Sequence, residues 1–226
     1  KTTAASLLRG LLLLSIMMLT SVGTWVQAGE PADSTTVSIS VSDAAALKNA
    51  LESDTISTIY MTTDITLTEE VKITVGAAHT LSIAEGKTLT CTVKYGIGFK
   101  AGSNISLTIQ GEGEGSKLVI NADNDGRAIT NGTLTLNNIT VDITSGIFDP
   151  TNLTVGSGAT INVDAADQTY PLQSTNLTVN DGGTININKF KGNGINIGYT
   201  LTINSGGVAQ GGKGAGAYRG GSFPGK

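Results

Sequence analysis

The sequence predicts an all-β chain wound into a single-stranded parallel β-helix, a solenoid of about six coils with a short capping helix on its N-terminal side. Two observations carry that reading. Beyond Val37, apolar and polar residues alternate in short runs such as "LTCTV" (Leu89–Val93), "LVI" (Leu118–Ile120) and "ITVDI" (Ile139–Ile143). That period of two is the signature of strands, and Gly, Asn and Asp fill the gaps as turn residues. A phrase also recurs: "NLTVGSGATINV" begins at Asn152, "NLTVNDGGTINI" at Asn176 and "TLTINSGGVAQ" at Thr200, each step being 24 residues. A sandwich has no reason to keep a constant step. Stacked coils do, because one coil cannot bury its apolar side alone.

The N-terminal element has the composition of an export signal. Lys1 and Arg9 precede the apolar run "LLLLSIMML" (Leu11–Leu19), which is too short to span a bilayer comfortably, and Val26-Gln27-Ala28 fits a small-x-small cleavage site. Residues 1–28 are therefore expected to be a signal peptide, the chain's one engagement with a membrane, and 29–36 a linker. The β-helix is expected over 37–205. Within it, "SDAAALKNALES" predicts a helix near 43–52 with Ser42 as N-cap, since Ala44, Leu47 and Leu51 share one face. A β-helix has an open end that invites pairing with other chains, and a helix there would close it. After Ile203 the alternation is lost, and 206–226 is expected to be a Gly-rich tail or the start of further coils.

Within the coils the pleat assigns faces. Leu153, Leu177 and Leu201 align inward, as do Val155, Val179 and Ile203. Ile161 and Ile185 do the same on the next strand. Gly158, Gly182 and Gly206 fall at the corner between two strands of a coil, where an unusual φ is needed. Earlier units beginning at Leu81, Leu107 and Leu134 continue the pattern at less regular spacing. Cys91, in phase with Leu89 and Val93, is expected to be a buried apolar residue and not a reactive thiol.

At "DGRAITNGTLTLNNITV" (Asp125–Val141) and "DITLTEEVKITV" (Asp64–Val75), the chain resembles secreted and surface proteins of the pectate-lyase-like β-helix superfamily, with closest likeness to bacterial adhesin-like members. The resemblance covers roughly Val37 to Ser205. It implies a right-handed helix and an extracellular or cell-surface role in adhesion, with glycans or neighbouring surface proteins as partners. In the catalytic relatives it implies cleavage of acidic polysaccharides.

Charge and motif narrow the chemistry. The chain has 14 basic against 18 acidic residues, a net charge of −4, with no basic cluster to neutralise phosphates, so nucleic acid is excluded as a partner. Lyases of the superfamily hold calcium with clustered carboxylates and use a basic residue to take a proton. The matching stretch here is "NADNDGR", with Asp123 and Asp125 as calcium ligands and Arg127 as the basic group. The competing reading, a polar turn between coils, is preferred. No cofactor is expected otherwise. The single histidine, His79, has no carboxylate near it in sequence before Glu85 and is expected at the surface, without a catalytic role. "GEGEGS" (Gly111–Ser116) has no helix after it and reads as an acidic turn, not a phosphate loop.

What remains is the outward rows. Thr154, Thr178 and Thr202 form one column and Asn162 and Asn186 another, offering hydroxyls and amides for surface contact. Paired Thr-x-Thr rows suited to ice are not the rule, and no Trp follows the signal segment to stack on sugars. The expectation is a non-catalytic adhesive or spacer module, with a polysaccharide-cleaving enzyme as the alternative.

Overall fold

The computed structural model describes residues 37–74, 78–92, 94, 96–100, 105–123 and 126–211. The expected signal peptide and linker lie outside them, as does the tail from 212 onward. The described chain is a right-handed parallel β-helix of about seven turns, one more than the repeat suggests. The strand pairing runs on to Gly211.

The chain enters through β1 (Val37–Val41) and α1 (Ala44–Leu51). The first coil follows as β2 (Ile56–Met61), β3 (Ile65–Leu67) and β4 (Val71–Ile73), and the second as β5 (His79–Ile83), β6 (Thr88–Cys91) and β7 (Ile97–Phe99). The third comprises β8 (Ser106–Gly111), β9 (Lys117–Asn121) and β10 (Arg127–Thr130), and the fourth β11 (Thr133–Asn137), β12 (Thr140–Ser145) and β13 (Ile147–Asp149). From β14 (Asn152–Val155) and β15 (Thr160–Ala165) onward the corner between the third and first faces straightens. One long strand then serves both faces, as in β16 (Leu172–Val179) and, after β17 (Thr184–Phe190), in β18 (Ile195–Ile203), with β19 (Val208–Gly211) completing the set.

Every pairing between coils is parallel. The first face stacks β1, β2, β5, β8, β11 and β14 with the C-terminal halves of β16 and β18. The second stacks β3, β6, β9, β12, β15, β17 and β19. The third stacks β4, β7, β10 and β13 with the N-terminal halves of β16 and β18.

This register turns sequence alternation into continuous inward columns. On the first face Leu107, Leu134, Leu153, Leu177 and Leu201 stack in order, beside Ile39, Ile59, Leu81, Ile109, Leu136, Val155, Val179 and Ile203. On the second, Ile65, Leu89, Leu118, Val141, Ile161 and Ile185 do the same. Val71, Ile97, Ile129, Phe148 and Leu172 line the third. Cys91 lies in the second-face stack between Leu67 and Ile120, fully buried, and burial pushes its thiol up to about 12, so it is inert. The repeated corner glycines take φ values of 69, 74 and 82 at Gly158, Gly182 and Gly206, a region that side chains disfavour.

The helix does sit at the N-terminal side, but its cap is Asp43 and not Ser42. Asp43 is extended (φ −148, ψ 168) and its carboxylate accepts from the Ala46 amide at 2.8 Å. Ser42 serves the coil instead, its carbonyl accepting from the Thr63 hydroxyl at 2.8 Å. Leu47, Ala50 and Leu51 are buried. Lys48 ties the helix down, donating to Glu52 at 2.7 Å and to the Glu70 carbonyl at 2.6 Å, while Glu52 accepts the Lys72 amide at 2.8 Å. Burial raises the Glu52 pKa, but Lys48 and the Lys72 amide outweigh it and hold the carboxyl below its ordinary range.

His79 also departs from expectation. It is 1% exposed, at the β5 position that pairs with Leu107, so it stands in the leucine column and not at the surface. The inward phase of β5 is set by Leu81 and Ile83, and the pleat carries His79 inward with them.

Leu177 lies between Leu153 and Leu201 and is fully buried, whereas Thr178 faces out. Leu177→Ala is expected to destabilise the protein by about 2–5 kcal/mol through lost burial and a cavity. Thr178→Ala should stay within about 0.5 kcal/mol. Urea melts of the two variants check the difference, and equal losses would refute the inward register.

Candidate functional site

Three outward surfaces carry the candidate groups: a hydroxyl column, two amide ladders and a polar cleft. All three are products of register.

The threonine column of the first face is longer than the 24-residue repeat reveals. Ser38, Thr58, Thr80 and Thr108 continue through Thr135 to Thr154, Thr178 and Thr202, one hydroxyl per strand on eight successive strands. Parallel strands lie about 4.8 Å apart, so the hydroxyls recur at about that spacing. Among the described residues, none of the threonine hydroxyls in this column has a hydrogen-bond partner, so both donor and acceptor capacity face outward.

The asparagine columns differ in kind. On the second face Gln210 donates to Asn186 at 2.8 Å, Asn186 to Asn162 at 2.9 Å, and Asn162 to Asp142 at 2.9 Å. Asp142 closes the series against the Lys117 ammonium at 2.9 Å. Every amide donates toward the preceding coil, and the chain ends on a carboxylate, a charge-assisted acceptor. On the first face Asn176 donates to Asn152 at 2.7 Å and Asn152 to the Thr133 hydroxyl at 3.2 Å. Asn162 and Asn186, predicted as contact residues together with the threonines, thus have their amides engaged within the fold.

The cleft gathers Lys94, Asn121, Asp123 and Ser145 in a volume of about 790 Å³ at the corner following the second face. Arg127 is not among its walls. It pairs with Asp149, 22 residues on, across the third face. Asp125 lies outside the described residues. Among the described residues no three His, Cys, Asp or Glu side chains converge as a metal site, and Asp123 shares its cleft with a lysine ammonium. The structure brings together Asp123 and Lys94, which sequence reasoning did not pair, and directs Arg127 elsewhere. No local signal marks Asp149 as the partner, because it belongs to the next coil.

Two asparagines flank turns. Asn131 and Asn138 adopt left-handed φ of 63 and 49, and Asn138 donates to the Gly111 carbonyl at 2.9 Å. Their residue type is accounted for by backbone geometry. Among the described residues, no helix is long and apolar enough to cross a membrane.

Comparison with known proteins adds one match. Residues 38–171 match the family described as "Putative pectate lyase-like adhesive domain". No curated protein and no solved structure matches the chain.

The second-face ladder generates a test. Asn162→Ala removes one donor and one acceptor from the series and should cost about 1 kcal/mol. Asn162→Asp should cost more at neutral pH, because it places a carboxylate beside Asp142 and deletes the donor between them. The gap between the two variants should narrow as acid protonates the paired carboxylates. Urea denaturation at neutral and acidic pH measures it, and an Asn162→Asp protein as stable as the parent would contradict the ladder.

Proposed function

Because the chain belongs to the pectate lyase-like adhesive domain family, we propose that it is a cell-surface or secreted module that adheres without catalysis, through the hydroxyl column of its first face. The observation that carries this reading is the set of unpartnered threonine hydroxyls running from Thr58 to Thr202, next to asparagine amides that are already engaged. A row of neutral donors and acceptors on a rigid sheet suits repeating hydroxyl and amide groups, as on glycans or on a neighbouring surface protein. Residues 1–28, read as a cleaved export signal, would deliver the module outside the cell. The enzymatic alternative, a polysaccharide lyase using Asp123, Asp125 and Arg127, is weakened because Arg127 is held by Asp149.

Contacts of this chemistry are weak singly and gain strength from display in many copies. They also lack the charge that salt screens. The protein is expected to bind glycans on an array with micromolar or poorer affinity, little changed between low and high salt, and to bind far more tightly as a multivalent display. Replacing Thr135, Thr154 and Thr178 together by Ala should weaken binding several-fold while leaving the melt unchanged. Tight, salt-sensitive binding that survives this replacement would move the site to the charged cleft at Lys94 and Asp123.

Incubated with polygalacturonate and calcium, the protein is expected to release no unsaturated product absorbing in the ultraviolet. Turnover abolished by Arg127→Ala would overturn the non-catalytic reading.

A further inference from the structure

The leucine column of the first face changes character at its N-terminal end. Leu201, Leu177, Leu153, Leu134 and Leu107 are followed by His79, and the adjoining position on β2, one residue before Thr58, is Ser57. His79 is 1% exposed. Among the described residues neither of its ring nitrogens has a hydrogen-bond partner, and neither does the buried Ser57 hydroxyl. Two polar side chains thus stand in a position that five later coils fill with leucine.

Among the described residues no anion faces the imidazole. Of the strands paired with β5, β2 brings one titratable group, Tyr60, which points outward and is 42% exposed, and β8 (Ser106–Gly111) brings none. β1 and β7 carry no ionisable side chain. Cys91 on β6 is a neutral thiol. Lys72 on β4 turns outward to Glu70 at 3.0 Å, and α1 commits Lys48 to Glu52 at 2.7 Å.

We propose that His79 makes the N-terminal end of the solenoid an acid-released element, in which protonation of the imidazole opens the chain from β1 through β5 while the later coils stay wound. An imidazolium in this position has no anion among the described residues to pair with and reaches water only if the coil opens. A solenoid is held by nearest-neighbour contacts, so an end coil can open without unwinding the rest. The hydroxyl column from Thr108 to Thr202 lies beyond the opened strands. This inference therefore stands whether or not that column is the adhesive surface.

The direction of titration agrees. Burial lowers the His79 pKa, and a backbone interaction with Ile56, short of full hydrogen-bond geometry, opposes the shift only in part. The open form then binds the proton more readily than the closed form. Stability is present above the ordinary histidine pKa of about 6.5 and is lost as pH falls below it. The carboxyls held low by their surroundings act elsewhere. Glu52 is lowered by Lys48 and the Lys72 amide against the opposing effect of burial, and Glu112 by hydrogen bonds from Ser82 and Gln110. Both lose their contribution only below the ordinary carboxyl range near pH 4.5. The interval between about 6.5 and 4.5 isolates the single histidine of the chain.

Hydrogen exchange of the full chain, followed by mass spectrometry and corrected for the intrinsic pH dependence of exchange, tests the proposal. Protection over residues 37–83 should fall by up to about tenfold per pH unit below 6.5, while residues 133–187 keep theirs. His79→Leu, which continues the leucine column, and His79→Gln should both abolish this response. Equal acid loss in the parent and in His79→Leu would overturn the proposal, as would loss spread evenly along the coils. If neither variant folds, imidazole NMR of the parent protein decides. A titration below the ordinary histidine value supports the proposal, and one at or above it refutes it.

Discussion

Everything in this molecule depends on the in-register parallel ladder between coils. Each strand pairs with its equivalent one turn earlier, so a residue is stacked on its counterpart, often on a residue of its own type. A slip of one residue would exchange the inward and outward sets and expose a whole row of leucine and isoleucine. The large apolar cost of that exchange specifies the register. The outward columns follow as a consequence, because Thr154 can stack on Thr135 and Thr178 only where Leu153 stacks on Leu134 and Leu177.

The same ladder makes the two ends unlike the middle. At the N-terminal side α1 covers part of the first coil through Leu47, Ala50 and Leu51, held by the clamp of Lys48, Glu52 and the Lys72 amide. In the last described coil Ile203 is 41% exposed, although its counterpart one turn back, Val179, is fully buried. Stability in such a stack is a sum over neighbours, so a residue's worth depends on which coil it occupies. Phe148 and His79 show the range. The first fills the third-face column between Ile129 and Leu172, and the second leaves two ring nitrogens without a partner among the described residues, near an end.

Chemistry on the outside is sorted by how far each side chain is already engaged. Asparagine carries donor and acceptor in one planar group and so links coil to coil, giving the directed series from Gln210 to Asp142. Threonine is shorter, and its stacked hydroxyls form no such bonds here, so their donor and acceptor capacity faces outward. Lys117, Lys189 and Arg127 find carboxylates on neighbouring coils at Asp142, Asp164 and Asp149. Exposed pairs of this type contribute little to stability.

The sequence by itself determined the period of two, the stacked coil, the inward identity of Leu153, Leu177 and Leu201 and the corner glycines. All of these are written locally and repeated at a constant step. The burial of Cys91 was legible for the same reason, from its phase beside Leu89. Tertiary structure decided whatever depends on how unequal coils align. The turns before Asn152 vary in length, so the membership of Thr58, Thr80, Thr108 and Thr135 in one column emerges only when hydrogen bonds set the register. His79 is a polar residue in an inward phase, and only its pairing with Leu107 shows which preference prevailed. Asp43 displaced Ser42 as the cap because the helix begins at Ala44, a boundary set by docking Leu47 and Leu51 against the coil. Arg127 turned to Asp149, and the asparagines to their predecessors, across gaps of about one coil. Such partners are neighbours in space because the solenoid returns the chain to the same face once per turn, and no window along the sequence contains both.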